Sequence, residues 1–293
     1  MTRILNMGSI NIDYVYSVPH FVQAGETLSA TDRKIFPGGK GMNQSIALAR
    51  AKSEVVHAGM IGSDGTYLLD ILKEAGVDTS LIAQSEVPTG HTVIQVSAEG
   101  ENCILLFPGA NNELNEAYVD KMLDSFKAGD ILLLQNEVSC VPYAIKTAKA
   151  KGMKVAFNPS PFGQEILQYP LDLVDLWLLN EIEGAALAAG KTAPRDMLTA
   201  MSDMYPNSVI VLTLGKEGVR CWSKAETFSH DSYPVKVVDT TAAGDTFTGY
   251  FIASIARGKE IPEALEIASK AASISVSRLG AAVSIPRWDE VLS

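Results

Sequence analysis

Paired cysteines are missing from this chain of 293 residues. Its three cysteines, Cys103, Cys140 and Cys221, are scattered and form no C-x-x-C pair. A disulfide framework or a cysteine-rich metal site needs more thiols at closer spacing. We therefore expect three reduced thiols in a cytoplasmic protein.

Positive charge is also scarce. Lys and Arg together number 24 against 34 Asp and Glu, which gives a net charge of −10, and the basic residues form no cluster. Nucleic acids and anionic membranes bind positive patches, so we expect neither as a partner. A phosphate-bearing substrate is still compatible, because backbone dipoles and a metal ion act locally.

Long apolar runs, internal repeats and low-complexity linkers are absent as well. The longest aliphatic runs, such as ILLL at 131–134, have the length of a strand and fall far short of a membrane span. With 47% hydrophobic and 20% charged residues, the composition is that of a globular protein with a large core. We predict a single domain over 1–293.

Strand-like apolar runs alternate with amphipathic helical segments through most of the sequence. The predicted strands cover 3–8, 53–62, 131–136, 153–159, 173–180 and 208–215. Alternation of this kind predicts an α/β fold of three layers, αβα, with a mostly parallel central sheet.

Two β-rich segments, 12–36 and 91–107, break this alternation. The second has the pattern of a hairpin around Glu99 and Gly100. We predict that both segments form one small sheet, a lid over a ligand cleft. Two extra edge strands of the main sheet are the alternative.

The stretch 237–251 is the most informative part of the sequence. A strand-like run ends at Asp239, small residues follow, and Asp245 stands where a long helical pattern begins. Small residues let the backbone approach a ligand, and the free N–H groups of a helix start attract anions. A carboxylate at that point suits a group that takes a proton beside a phosphate that is being transferred.

Two further segments place glycines and polar residues near strand ends. The segment 36–49 opens a helix with several glycines but lacks the Walker spacing, so a binding loop and a plain structural turn are about equally supported. Asn11 and Asp13 lie on one side of an extended segment, an arrangement that suits vicinal sugar hydroxyls. A turn or cap is the alternative for this pair.

Asn180 and Glu183 lie one helical turn apart where a strand becomes a helix. Oxygen ligands at that spacing suit hydrated magnesium, and a capping box is a compatible alternative. Gly215 and Gly218 follow an apolar strand and predict either a tight turn or a loop that contacts a nucleotide.

The order of these motifs resembles that of the ribokinase-like (PfkB) sugar kinases. The matching strings, between residues 8 and 286, are GSINID, GGKGMNQ, LLNEIE, TLGKEG, VDTTAAGDTF and SRLGAAVSIP. The resemblance implies ATP-dependent phosphorylation of the primary 5-hydroxyl of D-ribose to give D-ribose 5-phosphate. A sibling kinase for deoxyribose, another sugar or a nucleoside is the main alternative. A non-catalytic sugar-binding protein is the third.

The resemblance also implies roles for individual residues. Asp245 is the implied catalytic base, next to an anion hole built by backbone N–H groups of Ala242, Ala243 and Gly244. The implied sugar contacts are Asn11, Asp13, Gly39, Lys40, Gly41, Asn43, Glu137 and Asp245. The implied nucleotide contacts are Asn180, Glu183, Thr213, Gly215, Gly218, Gly244 and Ser269. The implied site for a monovalent cation comprises Asp239, Thr241, Ser275, Arg278, Gly280 and Ser284.

The implied cofactors are ATP, Mg²⁺ and K⁺, with potassium bound mainly through backbone oxygens beside the 242–245 turn. A homodimer through the small sheet is expected, since an exposed sheet has free edges and an apolar face. Met42 departs from the family, which usually has a small alanine there. We expect this position to decide which sugar is used.

Overall fold

The computed structural model describes residues 2–293, in which the strands form two sheets. The strands are β1 Ile4–Met7, β2 Asn11–Ser17, β3 Asp32–Gly38, β4 Val55–Ile61, β5 Asp78–Gln84, β6 Gly90–Val96, β7 Asn102–Phe107, β8 Ile131–Gln135, β9 Lys154–Asn158, β10 Leu176–Leu179, β11 Val209–Thr213, β12 Val219–Ser223 and β13 Glu226–His230.

The larger sheet has nine strands in the order β13-β12-β11-β10-β9-β8-β1-β4-β5. All neighbours pair in parallel except β11 with β12 and β12 with β13, which are antiparallel. Strand β1 lies inside the sheet between β8 and β4, and Leu5 lies between Val56 and Leu132. The aliphatic run of β8 is buried throughout, as expected for a parallel strand covered on both faces.

Helices cover both faces of this sheet, which confirms the predicted αβα architecture. They are α1 Lys40–Arg50, α2 Thr66–Glu74, α3 Glu116–Leu123, α4 Val141–Ala150, α5 Glu181–Leu187, α6 Pro194–Met204, α7 Ala243–Ala256, α8 Ile261–Val276 and α9 Trp288–Leu292. One core holds side chains of α1, α2, α7, α8 and α9, including Phe251. The other holds side chains of α3 to α6 and is centred on Trp177 and Phe157.

The smaller sheet has four strands in the order β3-β2-β6-β7. Strands β2 and β6 pair in parallel, whereas β3 and β7 are added antiparallel at the edges. The segments 12–36 and 91–107 therefore do form one separate small sheet, and the alternative of two edge strands on the main sheet was wrong. Its role as a lid stays a prediction.

Met42 is buried completely in the core beneath α1 and α7. Its backbone N–H donates to Ser9 O at 2.9 Å, which ties the start of α1 to the end of β1. The side chain packs among aliphatic residues and faces no open cleft. The side chain is therefore placed in the helix packing and not toward a sugar, and its influence on which sugar is used stays a prediction.

Within residues 2–293, no helix combines the length and the apolarity that crossing a bilayer requires.

Candidate active site

The site is built around the first turn of α7. Ala242, the residue before the helix, has the left-handed angles φ 60 and ψ 10, which turn the chain sharply into α7. The N–H of Ala243 donates to Thr240 O at 3.2 Å. The N–H groups of Ala242, Gly244 and Asp245 donate to no acceptor among the described residues, so they are free donors at this helix start.

Asp245 lies in the same turn and is only 8% exposed. Its Oδ2 accepts from Asn43 Nδ2 at 3.1 Å, and its Oδ1 accepts from Gln44 Nε2 at 2.9 Å. Helices α1 and α7 pack against each other, which brings the GGKGMNQ and AAGDTF segments together. Gln44 was not predicted, although it directly follows Asn43 and belongs to the same matching string.

Lys40 begins α1 and faces three carboxylates. Burial lowers the pKa of Lys40, but the charges of Asp245, Glu137 and Glu183 raise it more, and the net pKa lies above the usual lysine value. Lys40 is thus a cation at neutral pH. It supplies positive charge where the four groups converge.

Glu137 follows β8, and its carboxylate is bound by residues that follow β1 and begin α1. Its Oε2 accepts from the Ser9 hydroxyl and from the Lys40 backbone N–H, the latter at 3.1 Å. Burial raises the pKa of Glu137, whereas Lys40 and the two hydrogen bonds oppose that rise. Ser9 was not predicted as a site residue, and no local pattern around it indicates the contact.

Asn11 and Asp13 extend from β2, two residues apart as predicted. Asn111 Nδ2 donates to Asn11 Oδ1 at 2.7 Å, and Thr92 Oγ1 donates to Asp13 Oδ1 at 2.6 Å. Burial raises the pKa of Asp13, and the bond from Thr92 opposes the rise only partly. Thr92 was missed because it lies opposite Asp13 in the pairing of β2 with β6, and Asn111 because it lies in the turn after β7; neither contact follows from sequence spacing.

Gly39 and Gly41 let α1 begin directly against the end of β1. Gly39 has φ +94, which favours glycine, and a Cβ there would lie 2.9 Å from Ser9 O. A Cβ on Gly41 would collide with the backbone nitrogen of Ser9. Close packing therefore explains why both positions are occupied by glycine. Their role in sugar binding stays a prediction.

Asn180 and Glu183 form the capping box at the start of α5. Asn180 Oδ1 accepts from the N–H groups of Ile182 and Glu183, both at 2.9 Å, and Glu183 Oε2 accepts from the Asn180 N–H at 3.0 Å. Burial raises the pKa of Glu183 despite these donors. The capping alternative is confirmed, and both residues also line a cleft beside Asp245.

Two clefts meet at this turn. A polar cleft of about 330 Å³ contains the side chains of Lys40, Glu183 and Asp245. A mostly apolar cleft of about 430 Å³ lies between the β11–β12 turn and α8. The second cleft contains the predicted residues Thr213, Gly215, Gly218, Gly244 and Ser269. Thr213, Gly215, Thr240, Gly244 and Phe247 line both clefts and form the wall between them.

Residues of the predicted cation site come together just before the turn that leads into α7. There the segment 239–241 meets the segment 275–284. Asp239 Oδ1 accepts from the Thr241 N–H and hydroxyl, and its Oδ2 accepts from the Gly280 N–H at 2.9 Å. Burial raises the pKa of Asp239, but the three hydrogen bonds lower it more. The net pKa of Asp239 lies below its usual value.

The side chains of the other three residues predicted for the cation site, Ser275, Arg278 and Ser284, already have hydrogen-bond partners. The guanidinium of Arg278 pairs with Glu290 and is turned away from Asp239. Ser275 Oγ and Ser284 Oγ lie 2.8 Å apart and bond each other. The Arg278 side chain therefore cannot ligate a cation, whereas the main-chain oxygens of these three residues and the lone pairs of the Ser275 hydroxyl are available.

Comparisons with known proteins identify the family to which this chain is similar. A model of the pfkB family of carbohydrate kinases matches residues 1–288. Ribokinase of Haemophilus influenzae is 37% identical over 294 residues, covering 98% of this chain and 96% of that protein. Ribokinase of Cryptococcus neoformans in complex with ADP superimposes with a TM-score of 0.87 at 32% identity, covering 100% of this chain and 99% of that one. Arabidopsis thaliana ribokinase complexed with ribose and ATP gives a TM-score of 0.86 at 27% identity, with coverages of 100% and 98%.

Proposed function

The chain belongs to the pfkB family of carbohydrate kinases, and from that premise we propose that it transfers the γ-phosphoryl group of ATP to the 5-hydroxyl of D-ribose. The products are D-ribose 5-phosphate and ADP. The observation that carries this proposal is the buried Asp245 carboxylate at a helix start where a polar and an apolar cleft meet. The choice of D-ribose is supported by the relatives that bear the name ribokinase.

Asp245 acts as the base in this reaction. A carboxylate is a weak base, so it orients the hydroxyl and accepts its proton late in the transfer. Asn43 Oδ1 is buried without a hydrogen-bond partner in the described structure, which leaves an acceptor for a sugar hydroxyl beside Asp245. Both groups would then address the sugar at one place.

The rest of the sugar site holds the hydroxyls in a fixed pose. Asn11, Asp13 and Glu137 are each oriented by a neighbouring hydroxyl or amide, so little side-chain entropy is lost when the sugar binds. Lys40 supplies a positive charge close to the reacting groups. The backbone of Gly39 and Gly41 completes the contacts that the family resemblance implies.

The nucleotide occupies the apolar cleft, and its phosphates point along the shared wall toward Asp245. The free N–H groups of Ala242 and Gly244, together with the positive end of the α7 dipole, stabilise negative charge on the transferred phosphoryl group. The small sheet acts as a lid that excludes water from this reaction, which suppresses hydrolysis of ATP.

Magnesium accompanies ATP in this proposal, and its fit follows from the capping box at α5. The oxygens of Asn180 and Glu183 already accept hydrogen bonds, so these residues would hold a hydrated ion through its water molecules. Bound there, magnesium supplies neutralisation of phosphate charge. The residues themselves keep α5 fixed beside Lys40 and orient those waters.

Potassium binds beside the α7 turn in this proposal. The available cation ligands are the Asp239 carboxylate and main-chain oxygens of 239–241 and 275–284. This all-oxygen set suits a hard alkali cation. The two segments are joined there, since Val238 N donates to Val276 O at 2.8 Å. A cation between them holds the 242–245 turn in the shape that binds anions.

We further propose a homodimer through the small sheet. Strand β7 is an edge strand, and Ile104, Leu105 and Phe107 are exposed on it. A cytoplasmic location is also proposed, and the three free thiols support it.

The experiment that tests the function is an assay of ADP release with ATP and a panel of sugars. D-ribose is expected to give the highest kcat/KM, and mass spectrometry of the product is expected to place phosphate on the 5-hydroxyl. A clear preference for deoxyribose, another sugar or a nucleoside would assign the chain to a sibling kinase. No turnover with any member of the panel would contradict catalysis.

A further inference from the structure

Two neighbouring amides of α1 hold both oxygens of the Asp245 carboxylate. Asn43 belongs to the expected sugar contacts, whereas Gln44 is fully buried and has no role in the reaction as described so far. Each carboxylate oxygen has its own donor, at 3.1 Å from Asn43 and 2.9 Å from Gln44. Rotation of the carboxylate about its Cβ–Cγ bond therefore weakens both bonds.

A chain of buried amides fixes the direction of the Gln44 side chain. Gln44 Oε1 accepts from Gln135 Nε2 at 2.7 Å, and the same nitrogen donates to Asn6 Oδ1 at 3.0 Å. The second hydrogen of Gln44 Nε2 goes to Asn158 Oδ1 at 3.0 Å. Because its oxygen must face the Gln135 nitrogen, only the Gln44 nitrogen can face Asp245.

His57 closes this chain at its far end. Asn6 Nδ2 donates to Ser45 Oγ at 2.8 Å, and Ser45 Oγ lies 2.7 Å from His57 Nδ1. His57 Nε2 lies 3.2 Å from Gly8 O, which only accepts, so the ring proton sits on Nε2 and Nδ1 accepts from Ser45. Burial lowers the pKa of His57 to about 4, which keeps the ring neutral at pH 7 and preserves this direction of donation.

Lys40 is the cation that acts on Asp245 in this site. The charge of Asp245 raises the pKa of Lys40, yet the ion pairs found within residues 2–293 do not include Lys40. A carboxylate that turned onto the ammonium group would be a poorer proton acceptor, because a cation stabilises the ionised form. Something must therefore keep Asp245 directed at the cleft.

We propose that Gln44 is a positioning residue that keeps the Asp245 carboxylate facing the substrate hydroxyl and away from Lys40. The inference rests on the proposed function, since it requires Asp245 to be the base. The remainder of the amide chain holds Gln44 in register between β1, β8 and β9. A purely structural role for Gln44 would instead lower stability and leave the action of Asp245 unaffected.

The test is a double-mutant cycle between Gln44→Met and Asp245→Asn, measured as kcat and KM. Methionine keeps the length of glutamine but donates no hydrogen bond. Misplacement of a reacting group is costly, so we expect Gln44→Met to lower kcat by about 10- to 100-fold while both KM values change by less than about threefold. In the Asp245→Asn background the same substitution is expected to lower kcat by less than about twofold, because residues that act as a unit are not additive.

Equal fractional losses in the two backgrounds, or a parental kcat in Gln44→Met, would overturn the proposal. Ser208→Ala is the matched control, because the Ser208 hydroxyl is buried and donates to Val174 O at 2.6 Å just before the start of β11, at the end of the sheet away from Asp245. It is expected to lower Tm and leave kcat unchanged. The same sugar, whichever the parent enzyme uses best, serves every assay. Absence of turnover with D-ribose would then count against the proposed function alone.

Gln44→Glu provides a second measurement that does not depend on the folding of Gln44→Met. The substitution preserves shape and places a second carboxyl group against Asp245, and like charges at that distance raise the pKa of the pair. The acid limb of the pH profile of kcat/KM is expected to move to higher pH. An acid limb at the parental pH would show that residue 44 does not act on Asp245.

Discussion

Asn43 and Asp245 are 202 positions apart in the sequence, and the Asn43 amide nitrogen donates to Asp245 Oδ2 at 3.1 Å. Asn43 lies near the start of α1, which the glycine-rich segment opens, and Asp245 lies in the first turn of α7. The proposed sugar contact and the proposed base therefore share one hydrogen bond. Any sugar hydroxyl that Asn43 orients is presented to the Asp245 carboxylate.

Asp245→Asn is expected to abolish most of the turnover and to spare binding. An amide is no base, and loss of a general base costs about 10²- to 10⁴-fold in rate. Sugar and ATP affinities, measured by calorimetry, should stay near the parental values. Asp70→Asn is the control, because Asp70 is exposed on α2 beside Lys73 and far from the clefts. Near-parental turnover of Asp245→Asn would remove Asp245 from the mechanism.

Gly244→Ala is expected to impair catalysis without loss of stability. A Cβ on Gly244 would have no protein atom within 4 Å, so the methyl group would project from the wall shared by the two clefts. Alanine also favours a helix over glycine by about 0.5–1 kcal/mol. We expect Tm to stay equal or rise while KM for ATP rises or kcat falls.

Gly41→Ala provides the contrast for that experiment. A Cβ at this position would collide with the backbone of Ser9, so we expect a lower Tm measured by calorimetry. If Gly244→Ala kept the parental KM and kcat, the phosphates would not pass this glycine. A lower Tm for Gly244→Ala would indicate a packing role instead.

Asp13→Asn is expected to stabilise the fold and weaken sugar binding. Burial raises the folded-state pKa of Asp13 above its unfolded value, so the folded protein binds the proton more tightly. Stability from this group is therefore greatest below the unfolded pKa and decreases as pH rises through the folded pKa. The asparagine amide is neutral and its oxygen still accepts from Thr92. Tm of the variant should exceed that of the parent at pH 8, and the difference should shrink toward pH 4, which is about the unfolded pKa. A difference that grows on acidification would contradict this account.

The sequence predicted the fold, but not the contacts among the residues that the fold brings together around the α7 turn. Periodicity indicated buried parallel strands, and the glycines of the 36–49 segment marked where a helix begins. Gln44, Ser9 and Asn111 were missed because their partners are at least 100 residues away and the folding that brings them together has no local signal. The orientation of Met42 could not be predicted for a related reason: a residue next to a binding loop faces the cleft or the core depending on helix rotation, which its neighbours in sequence do not fix.

Replacement of potassium by tetramethylammonium at constant ionic strength is expected to lower kcat. The bulky cation cannot enter between 239–241 and 275–284, so the turn at Ala242 loses support from a bound ion. Asp239→Asn should weaken the dependence of kcat on KCl, since the amide carries no negative charge for the cation and has one acceptor oxygen where the carboxylate has two. Identical kinetics in both salts would exclude a functional cation, and parental KCl dependence of Asp239→Asn would locate the cation elsewhere.

Leu105→Asp is expected to convert a dimer into a monomer. Leu105 is 70% exposed on the edge strand β7, between other exposed apolar residues of the same strand. A charge buried in an interface without a partner is strongly unfavourable, so association through this face should fail. Light scattering at micromolar concentration measures the mass, and Met204→Asp, at an exposed apolar residue ending α6, is the control that should stay dimeric. A parent chain that is already monomeric, or a Leu105→Asp variant that stays dimeric, would rule out the small sheet as the interface.

Because the small sheet carries Asn11 and Asp13, a monomeric variant should also show a higher KM for the sugar, which links assembly to substrate binding.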